Sequence, residues 1–99
     1  MNEEKYVTIS KLSQYYRVDV SLFSRLDELG LIKIHTVNEN QCIHHDMINN
    51  LERMLRLHEE LGINLEGIDT IFNLLEKIED LQNKLIEANN KLRFYEGGQ

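Results

Sequence analysis

Apolar residues recur at steps of three and four along most of this chain, and one β-branched stretch interrupts that rhythm. Ile9, Leu12 and Tyr16 would share one face of a first helix, which Thr8 or Ser10 can cap with a hydroxyl oxygen. Leu22, Phe23, Leu26 and Leu29 repeat in the same way, with Asp19 placed to cap a second helix. Gly30 follows as the residue able to turn left-handed and close it. Two short helices joined by a few residues suggest a helix-turn-helix.

Residues 31–37 are β-branched and lead into the polar turn Asn38-Glu39-Asn40. Residues 41–44 can return as a second strand, giving a hairpin or wing whose alternating anchors are Ile32, Ile34 and Ile43. Asp46 is then expected to cap a third helix with Ile48, Leu51, Leu55, His58 and Leu61 inward and Met47 and Met54 beside them. Gly62 stops that helix, Ile63 closes the stop hydrophobically, and Asn64 restarts a helix with Glu66 in its first turn, where the dipole favours it.

The last helix, expected over residues 65–96, is roughly 45 Å long at 1.5 Å per residue. Ile71, Leu74, Ile78, Leu81, Leu85, Ala88, Leu92 and Tyr95 fall on its a and d positions without a break. A 3.5-residue repeat makes a straight seam that a partner helix can cover. The six large aliphatic side chains on it carry roughly 9–18 kcal/mol of gross burial free energy, before association entropy is subtracted. The expected organisation is residues 1–62 as the helix-turn-helix and wing, residues 63–96 as a dimerisation helix, and residues 97–99 as a frayed tail. Lys77, Lys84 and Lys91 lie at g positions, so an antiparallel pair would set lysines near one another and the charge pattern mildly opposes that orientation.

Charge narrows the partners. The chain has 99 residues, 11 Lys and Arg against 17 Asp and Glu, and a net charge of −6. The deficit falls on both parts, seven cations against ten carboxylates in residues 1–62 and four against seven in residues 63–99. That sign disfavours holding phosphates by bulk electrostatics. The start lacks a basic segment followed by an apolar run, and the single cysteine, Cys42, has no internal disulfide partner. A reduced, cytoplasmic setting is the expectation.

Chemistry-bearing motifs are sparse. There is no Gly-rich phosphate loop, nucleophile elbow or His-Glu-x-x-His helix, so neither catalysis nor a cofactor is expected. Cys42, His44, His45 and Asp46 contain metal-ligand types, yet a tetrahedral site would need further ligands; they read better as a strand residue, two polar residues and a helix cap. His58 reads as a core or interface histidine. Glu59-Glu60 and Glu79-Asp80 are adjacent pairs on solvated helix faces, and such neighbours do not converge on a substrate.

The order helix, helix, Gly30-Leu31-Ile32, wing, helix, Gly62-Ile63-Asn64-Leu65-Glu66-Gly67-Ile68, long helix resembles the winged-helix regulators of the MerR type. Thr8-Ile9 through Leu12, Val18-Asp19-Val20 and Asp27-Glu28-Leu29 carry the likeness further. It implies a mainly α fold: a winged helix-turn-helix with a small β-hairpin wing and a long coiled-coil helix, paired antiparallel in a homodimer. It also implies a second helix in the DNA major groove, but the DNA-reading positions depart from the pattern. The run Ser21-Leu22-Phe23-Ser24-Arg25-Leu26 has Ser24 where family members usually place Arg. The wing lacks Arg and Lys after Lys33.

In length, acidic balance and the run Asn64-Leu65-Glu66-Gly67-Ile68-Asp69-Thr70-Ile71, the chain is more similar to an offshoot of that fold, the chaperone modulators like CbpM. That likeness implies binding to the J domain of a DnaJ/CbpA-type co-chaperone and inhibition of its work with Hsp70. J domains offer a basic helix, which an acidic binder complements. The surface expected to carry it is helix two, through Asp19, Ser21, Leu22, Phe23, Ser24, Arg25 and Glu28, with Phe72 as a further apolar anchor. The acidic residues Glu66, Asp69, Glu76, Glu79 and Asp80 of the long helix form a competing patch. A MerR-type DNA-binding regulator using Arg17, Arg25 and Lys33 is the alternative, and a bare oligomerisation scaffold a third.

Overall fold

A computed structural model describes residues 5–97. In chain order these form β1 (Tyr6–Thr8), α1 (Ile9–Tyr16), α2 (Val20–Glu28), β2 (Ile34–Val37), β3 (Asn40–His44), a 3₁₀ turn (His45–Met47), α3 (Ile48–Glu59) and α4 (Leu65–Gly97). The chain divides after Asp69 into a winged-helix body and the remainder of α4. Of the tail expected at residues 97–99, Gly97 belongs to α4 and residues 98–99 lie outside the described residues.

Local signals explain most boundaries in the body. Thr8 caps α1 by accepting from the Lys11 N–H at 3.2 Å, and Asp19 caps α2 by accepting from the Ser21 N–H at 2.8 Å. The turn between them is held by Ser13. Its carbonyl accepts the Arg17 and Val18 N–H groups, and its hydroxyl donates to the Val18 carbonyl. Arg17 adopts φ 59°, a left-handed conformation uncommon outside glycine. Gly30, at φ 78°, ends α2. The Leu31 N–H reaches the Leu26 carbonyl and the Gly30 N–H reaches that of Asp27, both at 3.0 Å, the paired bonds of a Schellman closure. That closure occupies residues 30–31, so β2 begins only at Ile34, three residues later than the β-branched run suggests.

The wing has three strands rather than two. β1 pairs antiparallel with β3 and β3 with β2, giving the order β1-β3-β2. β1 leaves no signal in the sequence pattern: it is three residues long and forms because β3 leaves one edge open to it. Asn38 and Glu39 have φ 52° and 66°, matching the left-handed pair of a two-residue hairpin turn. Alternation from the register puts Val7, Ile34 and Ile43 on one face and Tyr6, Thr8, His35, Cys42 and His44 on the other.

Two expectations for the third helix fail. Asp46 does not cap it: the 3₁₀ turn precedes α3, and the His44 Nδ1 accepts the Asp46 N–H at 3.0 Å instead. Leu61 is 67 % exposed because α3 ends before it, which removes it from the inward stripe. Gly62, at φ 69°, and Asn64, which caps α4, take the expected roles. The Ile63 N–H meets the Leu57 carbonyl at 3.1 Å, and the Asn64 Oδ1 accepts the Gly67 N–H at 2.7 Å. A Cβ on Gly67 would sit 2.9 Å from the Ile63 Cγ2 and 3.0 Å from the Asn64 Oδ1, so a larger residue there would force those side chains to shift. The core gathers Ile9, Leu12, Leu22, Phe23, Leu26, Ile32, Ile43, Leu51, Met54, Leu55, Leu65 and Ile68.

Candidate partner-binding surfaces

The face of α2 that a winged helix would present to a partner is polar and mixed in charge. Ser21, Ser24, Arg25 and Glu28 are exposed. Asp19 stands at the helix start, its pKa held below the ordinary value by the backbone N–H and then the hydroxyl of Ser21. Leu22 and Phe23 are not on this surface. Phe23 is 0 % exposed and Leu22 7 %, so both belong to the core that α2 buries, and the reading of them as partner contacts is corrected. A stripe of helical spacing shows which residues share a face, but its width depends on what packs against it. Val20, 46 % exposed, is the apolar side chain that α2 does present, at a position outside the expected partner surface. Asp27 is engaged within the fold, accepting from the Ile34 N–H at 3.2 Å and tying α2 to the wing.

Between the start of α2 and the hairpin lies a depression of about 210 Å³ lined by Thr8, Ile9, Ser10, Val20, Glu39, Asn40 and Gln41. Among the described residues, its lining contains one charged side chain, the carboxylate of Glu39, and no lysine or arginine. Arg17, Arg25 and Lys33 are exposed but contribute nothing to it.

His35, His44, His58 and Cys42 make contacts within the fold. The Tyr6 ring meets His35 at 5.2 Å and His44 at 5.0 Å, both edge-on. Cys42 is buried, with its Sγ 3.5 Å from the His35 carbonyl. Among the described residues, no three of His, Cys, Asp and Glu are grouped to hold a metal ion. His58 is half-buried and donates from Nδ1 to the Ile63 carbonyl at 2.9 Å, satisfying a backbone group just past α3.

A contact invisible in the sequence joins α1 to α3. The Tyr16 hydroxyl donates to the Glu52 Oε2 at 2.7 Å, across 36 positions of the chain. Burial first, then the hydrogen bond and charge of Glu52, push the Tyr16 pKa well above its ordinary value.

On α4, the seam residues Leu74, Ile78, Leu81, Leu85, Leu92 and Tyr95 are exposed, as is Ala88, while Ile71 and Phe72 are half-buried. Leu75, Ile86 and Phe94 add exposed apolar surface off the seam. Glu66, Glu76, Glu79 and Asp80 are exposed too, and Asp69 is half-buried. Among the described residues, no helix is long and apolar enough to cross a membrane.

The family model of MerR HTH family regulatory proteins matches residues 7–90. No curated protein and no solved structure matches the chain. The matched span runs from β1 through most of α4, so it takes in the helix pair, the wing and the long helix together. The chain belongs to the MerR HTH regulatory family.

Proposed function

We propose that this protein is a homodimeric, cytoplasmic adaptor that binds the J domain of a DnaJ/CbpA-type co-chaperone and blocks its cooperation with Hsp70. The observation that carries the reading is the depression between α2 and the wing, where Glu39 stands and no lysine or arginine contributes. A duplex reader draws its sequence-independent affinity from cations that neutralise phosphates and release counterions. Phosphates at this depression would meet the Glu39 carboxylate, and the surfaces flanking it add Asp19 and Glu28 against Arg25 and Lys11. That balance suits a positively charged protein helix, and complementary charge speeds encounter and selects partners. The likeness to the CbpM-type modulators supplies the identity of that partner.

In this reading Asp19, Ser21, Ser24, Arg25 and Glu28 of α2 meet the J domain, with Val20 as the apolar contact. The exposed seam of α4 pairs two copies as an antiparallel coiled coil. Inhibition is steric and electrostatic competition, with no bond made or broken and no cofactor.

Family membership favours a second reading, a DNA-binding regulator using Arg17, Arg25 and Lys33. Two titrations separate them: one against a purified J domain, with Hsp70 ATPase stimulation as the readout, and one against duplex DNA at low and physiological salt. J-domain binding that suppresses the stimulation is expected. Duplex binding that weakens steeply with salt, without J-domain binding, would reverse the assignment.

A further inference from the structure

The Tyr16–Glu52 contact borders a groove between the end of α1 and α3, which has no part in the proposed α2 surface. It encloses about 270 Å³, with Val18 and Leu55 supplying apolar surface and Glu52, Glu59 and Glu60 supplying carboxylates; Arg56 is the cation on its lining. The placement runs against helix electrostatics. α1 ends at Tyr16 with no basic residue in its last turn, and α3 ends at Glu59. The negative ends of two helices therefore lie near three carboxylates, which Arg56 in the last turn of α3 and Arg17 at the C-cap of α1 offset only in part. Tyr16 holds the Glu52 carboxylate through one oxygen, which fixes one side of the groove.

We infer that this groove is a docking slot for a lysine- or arginine-bearing helix of a partner protein. Long cationic side chains have the matching anatomy: an apolar stem for Val18 and Leu55, and a charged head for Glu52, Glu59 and Glu60. Nucleic acid and other polyanions are repelled by the same lining, and a bare metal ion would make no use of its apolar part. The inference rests on the proposed function, in which the partner is a J domain with a basic helix. It adds a second contact surface, separate from the exposed face of α2.

The test measures affinity for a purified J domain by calorimetry, using the full-length protein throughout. Glu59 and Glu60 are exposed, so Glu59→Lys with Glu60→Lys leaves the core untouched. Glu52→Gln keeps an acceptor for Tyr16 while removing the charge. The double reversal is expected to weaken binding roughly tenfold or more, and a J domain with its basic helix reversed in charge should regain affinity for that variant. Glu52→Gln should weaken binding by a smaller factor. Arg25→Glu with Glu28→Lys on α2 separates the two surfaces. If only the α2 variant loses affinity, the groove is overturned and the J-domain reading stands. If the wild-type protein binds no J domain, both fall.

Discussion

Removing Leu81 and Leu85 from the α4 seam tests the proposed dimer most directly. In the single chain these side chains are 64 % and 61 % exposed, so most of each is available to a second copy. Burying a leucine is worth about 1.5–3 kcal/mol in full, hence roughly 1–2 kcal/mol for the part still open here. In a homodimer each substitution acts twice. Leu81→Ala with Leu85→Ala therefore removes four side chains, about 4–8 kcal/mol, or roughly three to six orders of magnitude in the dimer dissociation constant. Alanine has the highest helix propensity, so lost association cannot be charged to a weaker helix. Asn83→Ala, at an f position on the far side of the heptad, is the control and should leave assembly unchanged. Sedimentation velocity over a concentration series gives the answer, with far-ultraviolet circular dichroism to follow the helix. A wild-type protein that sediments as a monomer throughout, or a double variant that assembles like the wild type, would refute the seam argument.

Other expectations concern the body and the strand orientation. Phe23→Ala should cost about 3–5 kcal/mol of folding free energy in urea titration, because the ring is wholly buried; an unchanged midpoint with reduced partner affinity would return Phe23 to the surface. Tyr16→Phe should cost about 1 kcal/mol at neutral pH through the lost bond to Glu52. The raised pKa of Tyr16 means the fold favours the neutral phenol, so its contribution is complete below pH 10.0 and declines as pH rises beyond it. The phenylalanine variant should show a flatter alkaline limb in thermal melts taken from pH 9 upward. Gly30→Ala meets no atom within 4 Å, so its cost is the left-handed backbone alone, about 1 kcal/mol; a loss several times larger would point to a steric clash instead. Tyr95→Cys should crosslink poorly between copies, since antiparallel helices put the two positions at opposite ends, whereas efficient bonding would indicate parallel strands.

Signals acting over about one helical turn could be read from the residues alone. Thr8, Asp19 and Asn64 cap because their side-chain oxygens reach N–H groups two or three positions on. Gly30 closes α2 through bonds confined to residues 26–31. The seam from Ile71 to Tyr95 is a periodicity, and the helix that carries it was legible for that reason. The MerR likeness, resting on the order of such elements, holds over residues 7–90.

Other features of the fold depend on groups far apart in the chain. β1 is too short to announce itself and exists because Tyr6, Val7 and Thr8 find His44, Ile43 and Cys42 across the sheet. His44, rather than Asp46, satisfies the turn before α3 because the strand end delivers its ring there. Leu22 and Phe23 are contiguous apolar residues, and their own spacing does not say whether a partner or the protein's core covers them; packing of the body assigned both to the core. The α1–α3 groove joins Tyr16 and Val18 to Glu52 and Glu60, groups whose meeting depends on how the helices are folded back on one another. Local hydrogen-bonding chemistry determined where each element starts and stops, while burial against distant neighbours determined which side of it was left for a partner.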